Sequence, residues 1–273
     1  MGQAGRKKEE VMEGRKYVVI TGASSGIGRE AALAFAKRGR NLVLCARRED
    51  ALESLKGEIA GIDPDLDVQL RVSDLSVPGS AERLYASLKP LRLECLINNA
   101  GFGDYHQVAD ADLEKLRTML HLNIEALLVL SALFVKDYRD EPGAQLINVS
   151  SAGGYTIVPP AVTYCATKFF VGAFTEGLDR ELQDAGSPMR AKVFAPAATQ
   201  TEFGKVANDV SEYDYDAMFN RYLTAPQAAG YLMELFDNDA TVGYVNRADF
   251  RFVLSAPRFD YAGNKAINQK MTR

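Results

Sequence analysis

The chain has 273 residues, 47% of them apolar and 25% charged, the balance of a globular protein that buries a core without disulfides or structural metals. Its net charge of −4 is spread over both signs with no basic stripe, which argues against nucleic acid as the main partner. Cys45, Cys95 and Cys165 form no CxxC pair and His106 and His121 no ligand pair, so no disulfide framework and no metal site is expected, and a reducing compartment, the cytoplasm, is.

Residues 1–15 are polar and charged without a visible period, which predicts a mobile leader and no signal sequence. No run of 18 apolar residues follows, so no membrane span is expected. The regular pattern begins at Tyr17, where YVVI reads as a short strand ending in a glycine-rich turn. GREAALAFAKRG then has helical spacing and stops at Gly39. NLVLC predicts a second strand, and a charged helix runs from about Glu49 to Ala60. DVQLRV, CLIN, QLINV and AKVFA are further strand candidates separated by helical stretches, one of them from about Asp112 to Asp137. Continuous apolar strands alternating with helices predict one α/β domain over residues 16–273, a doubly wound, Rossmann-like parallel sheet covered on both faces. From Pro196 to Arg221 the rhythm breaks into a polar segment studded with Phe203, Tyr213, Tyr215, Met218 and Phe219. Over about residues 197–222 this predicts either a lid above a bulky apolar substrate or a loop packed on its own protein.

The turn TGASSGIG lies between the first strand and first helix. There Gly22 can turn tightly, Gly26 can let backbone approach a diphosphate, and Gly28 can let helix pack on strand. The helix amino terminus then offers unpaired N–H groups and a positive dipole end to the anion, and Ser24, Ser25 and Ile27 are expected with the glycines among the cofactor-binding residues. After the second strand comes CARRED, with Ala46 where a carboxylate would select the ribose hydroxyl and Arg47 next to it. A guanidinium there suits a 2′-phosphate, with help from Arg48 or Ser25, so NADP(H) is the expected cofactor; the alternative leaves both arginines solvated at a helix start.

Tyr164 and Lys168 lie four positions apart and share a helix face. A free phenol has a pKa near ~10, and the Lys168 ammonium together with an oxidised nicotinamide is expected to lower it. Ser151, at a predicted strand end thirteen residues earlier, can donate to a carbonyl oxygen; Ser150 competes for that role. Cys165 is expected to be a small buried residue, and neither histidine receives a role.

TGASSGIG, NNAG (Asn98 to Gly101), Asn123 in HLN, Ser151 and YCATK, in this order and spacing from Tyr17 to about Leu254, resemble the short-chain dehydrogenase/reductase family. The resemblance implies a catalytic set of Asn123, Ser151, Tyr164 and Lys168. It also implies that Asp74 and Leu75 border the adenine and that Asn99, Ala100 and Gly101 line the cofactor path. Lys168 would hold the nicotinamide ribose, Asn123 a water of the proton relay, and Pro196, Thr199 and Thr201 the nicotinamide end. PAATQT departs from the family's Pro-Gly-x-Val-x-Thr by Ala197 for glycine and Thr199 for valine. The implied activity is hydride transfer between nicotinamide and a carbonyl or secondary alcohol of a small molecule, by a homodimer or homotetramer. A reductase of carrier-bound 3-ketoacyl chains and a non-catalytic NADPH sensor are the rival readings. Glu202, Asp209, Glu212, Asp214 and Asp216 make the lid acidic, which counts against an anionic substrate approaching there.

Overall fold

The computed structural model describes residues 14–262; of the leader expected over residues 1–15, residues 1–13 lie outside it. Ten strands form in chain order: β1 (Lys16–Thr21), β2 (Asn41–Ala46), β3 (Val68–Val72), β4 (Arg92–Asn98), β5 (Gln145–Val149), β6 (Arg190–Ala195), β7 (Thr199–Gln200), β8 (Leu223–Thr224), β9 (Val242–Val245) and β10 (Phe252–Ser255). The main sheet has the order β10-β9-β6-β5-β4-β1-β2-β3, parallel throughout except for the antiparallel edge pair β10–β9. Strand order reverses between β1 and β4, the place where an open parallel sheet leaves a crevice at its carboxyl edge. The fold is the expected Rossmann-like α/β sheet; β9 and β10 extend it beyond the strands expected from sequence.

The strand residues alternate between two apolar layers, as a period of two dictates. Val18, Ile20, Leu42 and Leu44 face α1 (Gly26–Ala36) and pack with Phe35, Leu232 and Phe236. Tyr17, Val19, Val43 and Leu96 face the other way, with Leu84, Leu130, Phe134 and Leu182. Helix α1 stops where expected, with Gly39 at φ +71° and its N–H donating to the Ala36 carbonyl at 2.9 Å. Two more helices, α2 (Glu49–Ile62) and α3 (Ser80–Leu88), cross between strands.

Helix α4 (Leu113–Tyr138) carries one wide π-helical turn, His121–Ala126. With 26 residues and an 18-residue stretch of mean hydropathy 1.8, it is the one helix among the described residues long and apolar enough to cross a membrane. The apolar residues responsible, Leu127, Leu130 and Phe134, are buried in the protein's own core, so core packing accounts for them. Helix α5 (Val162–Asp184) buries Tyr164, Lys168, Val171, Thr175, Asp179 and Leu182, a stripe at three- and four-residue spacing. The segment expected to be irregular holds α6 (Phe203–Asn208), α7 (Tyr215–Met218) and the parallel pair β7–β8 before α8 (Ala225–Phe236).

Candidate active site

The carboxyl ends of β1, β2, β4, β5 and β6 open into one cavity of about 1100 Å³. Gly22, Ser24, Ser25, Gly26 and Ile27 line it on one side, with Gly22 at φ +68° and Gly26 at φ +55°, backbone that side chains disfavour. Gly28 does not line the cavity. A Cβ on it would lie 2.4 Å from the Gly22 carbonyl oxygen and 2.5 Å from Asn99 Nδ2, so its role is to let helix meet strand. Asn99 ties the turn down: its amide donates to the Thr21 carbonyl at 2.9 Å, and the Asn99 and Ala100 N–H groups donate to Thr21 Oγ1 at 3.0 Å each.

Farther along the same cavity stand Ala46, Arg47, Arg48, Asp74 and Leu75. Arg47 Nη1 is 4.0 Å from Asp74 Oδ2 and its side chain is 73% exposed. Arg48 is engaged: its guanidinium donates to both carboxylate oxygens of Glu202, at 3.1 and 2.8 Å, and to Ser24 Oγ at 3.3 Å. A backbone cradle that any Cβ would fill, a helix amino terminus and two guanidiniums at the far end fit a phosphorylated dinucleotide.

At the other end of the cavity Tyr164 is largely buried, and Ser151 lines the same wall. Ser150 is committed elsewhere, donating to the Lys168 carbonyl at 2.8 Å, so geometry separates the two serines. The Ser151 turn is held on both sides. Ala152 N–H donates to the Pro196 carbonyl at 2.9 Å, and a Cβ on Gly154 would meet the Lys168 carbonyl oxygen at 2.6 Å. Lys168 donates to the Val149 carbonyl at 2.9 Å, with Nζ 5.8 Å from the centre of the Tyr164 ring.

Burial dominates the electrostatics of the two groups. Burial pushes the Tyr164 phenol well above its usual range, and neighbouring Tyr105 adds to this against the influence of Ser151. Burial also lowers the Lys168 ammonium to about 8. A positive charge entering the cavity, such as the oxidised nicotinamide expected from the sequence, would act against this desolvation and lower the phenol.

Asn123 sits in the wide turn of α4 rather than on the cavity wall. Its amide donates to the Phe102 carbonyl at 2.9 Å and to Thr167 Oγ1 at 3.1 Å, while its Oδ1 accepts from Phe102 N–H at 3.2 Å. The π-helical turn is what lets a helix residue reach back to the loop after β4. A Cβ on Gly101 would be 3.0 Å from Asn123 Oδ1 and 3.4 Å from Lys168 Nζ, so the three converge. Pro196, Thr199 and Thr201 line the cavity near the lid's start. Thr199 Oγ1 turns back to the Ala197 carbonyl at 2.9 Å, and Thr201 Oγ1 accepts from Phe203 N–H at 3.2 Å.

The substrate end was only partly visible in sequence. Phe203 packs 5.3 Å from Tyr164, ring centre to ring centre, and Tyr105 stands 6.0 Å from Tyr164 and 6.2 Å from Phe203. Phe102 and Tyr105 had gone unnoticed; the signal was their place directly after NNAG, at a strand's carboxyl end. His106, left without a role, lies 2.9 Å from buried Asp104 and 3.9 Å from Asp209. Lys115 Nζ completes the group at 3.0 Å from Asp104 and 2.7 Å from Asp209, taking the position a bound cation would occupy. Although burial opposes it, the His106 and Lys115 contacts hold the Asp104 carboxyl below its usual range. Of the five acidic residues of the lid, Glu202 pairs with Arg48 and Asp209 with Lys115, while Asp214 caps α7 and Asp216 accepts from the Tyr222 hydroxyl.

The model of the short chain dehydrogenase family matches residues 16–211. The chain is a short-chain dehydrogenase/reductase. Among its relatives, an uncharacterized oxidoreductase of Staphylococcus saprophyticus is 31% identical, over 85% of this chain and 93% of that one. Sulfoacetaldehyde reductase 2 of Chromohalobacter salexigens is 34% identical, over 82% of this chain and 88% of that one. A short-chain dehydrogenase from Sphingobium yanoikuyae, solved in complex with NADPH, superposes with a TM-score of 0.77 at 28% identity, covering 85% and 89%. As a member of this family it is an oxidoreductase of small-molecule substrates; Ser151, Tyr164 and Lys168 line its cavity, while Gly28 and Asn123 stand behind the wall.

Proposed function

We propose that the protein is an NADP(H)-dependent oxidoreductase interconverting a carbonyl and a secondary alcohol, with Tyr164 as acid and base. The observation that carries this reading is a largely buried phenol that lines one cavity together with Ser151 and Lys168, and that cavity is continuous with the glycine-rich turn. The turn, Asp74, Leu75 and Asn99 to Gly101 would hold the dinucleotide, with Arg47 and Arg48 on the 2′-phosphate. When bound, the cofactor supplies or accepts the hydride. In reduction Ser151 polarises the carbonyl oxygen and Tyr164 gives that oxygen its proton. Lys168, with a single backbone acceptor, has N–H groups left for the ribose. Asn123 holds the floor of the site at Phe102 and lies on the proton path behind Lys168.

The aromatic wall of Tyr105, Phe203, Tyr213 and Tyr215 favours a bulky apolar ketone, diketone or steroid-like substrate. A second reading, a small anionic aldehyde, draws on Arg221 and Arg247 lining the same cavity and on the sulfoacetaldehyde reductase relative. Half-exposed apolar residues on α4, Leu120 and Leu128, support a homodimer or homotetramer, and three buried free thiols suit the cytoplasm. Loss of the reduced-nicotinamide absorbance with NADPH, then NADH, across bulky ketones, diketones, steroid carbonyls and sulfoacetaldehyde tests the proposal. Turnover of bulky ketones with NADPH is expected. Tight NADPH binding with no turnover on any carbonyl would leave a carrier-bound substrate or a sensor in its place.

A further inference from the structure

The cofactor end and the substrate lid are joined by one ion pair. Arg48 leaves β2 at the amino cap of α2, and Glu202 stands at the amino cap of α6, the lid's first helix. The guanidinium grips both Glu202 oxygens, and Ser25 lines the cavity beside them. The Arg48 bond, ahead of every other influence, holds the Glu202 carboxyl below its usual range. Both side chains are about half exposed, at 47% and 54%, so a ligand in solution reaches the pair directly. Next to it, Thr201 roofs the glycine-rich turn: a Cβ on Gly26 would lie 2.9 Å from Thr201 Cγ2.

Arg48 cannot give the same N–H fork to a carboxylate and to a phosphate. A phosphomonoester dianion is a strong bidentate acceptor, and once it holds Arg48 the freed Glu202 carboxylate faces a like charge. We propose that Glu202 is a built-in competitor for Arg48, so that a 2′-phosphorylated adenine nucleotide displaces it and unlatches the lid's first turn. An adenine nucleotide without that phosphate leaves the pair closed. The far end of α6 stays anchored, because Tyr105 N–H donates to the Ala207 carbonyl at 2.8 Å and Lys115 holds Asp209. The release is thereby confined to Thr201–Phe203, and Phe203 is the ring packed on Tyr164. Cofactor identity is read at Arg48 and felt at the substrate wall. This inference rests on the NADP(H) reading and adds a selectivity residue to it.

The test uses the full chain and two fragments lacking nicotinamide, adenosine 2′,5′-bisphosphate and AMP, titrated calorimetrically into the parent and into Glu202→Gln. Since an exposed ion pair is worth up to about 1 kcal/mol, Glu202→Gln should tighten the bisphosphate about fivefold and change AMP by less than about twofold. Amide hydrogen exchange at residues 201–203 of the parent should quicken with saturating bisphosphate and stay unchanged with AMP. An equal gain for both nucleotides, no gain, or exchange indifferent to the bisphosphate overturns the competition while leaving NADP(H) preference standing. A parent protein that binds the two fragments equally overturns both together.

Discussion

The two ends of the cavity are built from different material. The nucleotide end is backbone: a strand, a turn with two glycines at positive φ, a helix amino terminus, and Asn99 pinned to Thr21. The substrate end is side chains contributed by three separate segments: Tyr105 after β4, Tyr164 on α5, and Phe203 with Tyr215 on the lid. These are held across the gap by Lys115 between Asp104 and Asp209. The diphosphate common to such dinucleotides asks for little beyond backbone geometry, and side chains enter at this end chiefly through Arg47 and Arg48. A substrate wall assembled from long side chains on exposed segments can change shape without disturbing the sheet.

Tyr164 lies on the boundary of the two ends, and its removal should have the largest effect. Tyr164→Phe keeps the ring packed on Phe203 and deletes only the hydroxyl. Turnover is expected to fall by at least about a hundredfold, with nucleotide affinity unchanged. A variant with nearly parental kcat would remove Tyr164 from the chemistry. Gly28→Ala tests the rigidity of the nucleotide end. Its Cβ would press on the Gly22 carbonyl at 2.4 Å, a backbone atom with nowhere to move. A cost of about 1–3 kcal/mol in unfolding free energy is expected, along with weakened nucleotide binding. If both survive intact, the turn is more pliable than its contacts imply.

How far each end was legible in the sequence follows from the same contrast. Local rules carry the nucleotide end, because strand, glycine spacing and helix stop are adjacent in the chain; β1, α1 and β2 fall where the pattern puts them. Tyr164 and Lys168 were visible as a helical pair, but the resulting pKa was not, since burial depends on what the lid and the loop after β4 lay over them. Arg48 was read as a phosphate ligand, and nothing local could show its partner 154 positions away. The lid read as irregular because α6 and α7 are only 6 and 4 residues long, too short for a period to register. Asp104 and Lys115 carry no local signal, and His106 receives no role from sequence, because their partner Asp209 lies far along the chain.

The ionisation of Lys168 offers a test that falls between the two ends. Its ammonium is charged below about pH 8 and neutral above, against 10.5 for an exposed lysine. Burial has depressed the folded-state value, so this group's penalty to stability is present below about pH 8 and is relieved as pH rises toward 10.5. The catalytic consequence has the opposite sign, because the positive charge beside the phenol is lost over the same range. The kcat/KM for carbonyl reduction is expected to bend downward near pH 8, falling at most about tenfold per unit. A profile flat to well above that value would mean that the lysine charge is not needed.

Asp209→Asn should give the smallest effect and the sharpest contrast with Gly28→Ala. Asp209 sits at φ +53°, a left-handed conformation that asparagine tolerates as well as aspartate, so the substitution changes charge without backbone strain. Its side chain is 58% exposed, and Lys115 keeps its second partner, Asp104, at 3.0 Å. Solvent screening and the surviving pair limit the loss to about 0.5 kcal/mol, or a fall of about 1–2 °C in Tm. The lid itself should respond more strongly, because one of its ties to α4 has gone. Limited proteolysis within residues 203–222 is expected to quicken several-fold, roughly in proportion to the open population, while nucleotide affinity stays parental. A large drop in Tm would show that the lid is welded to the core, and the division between a backbone-built end and a movable side-chain wall would fail.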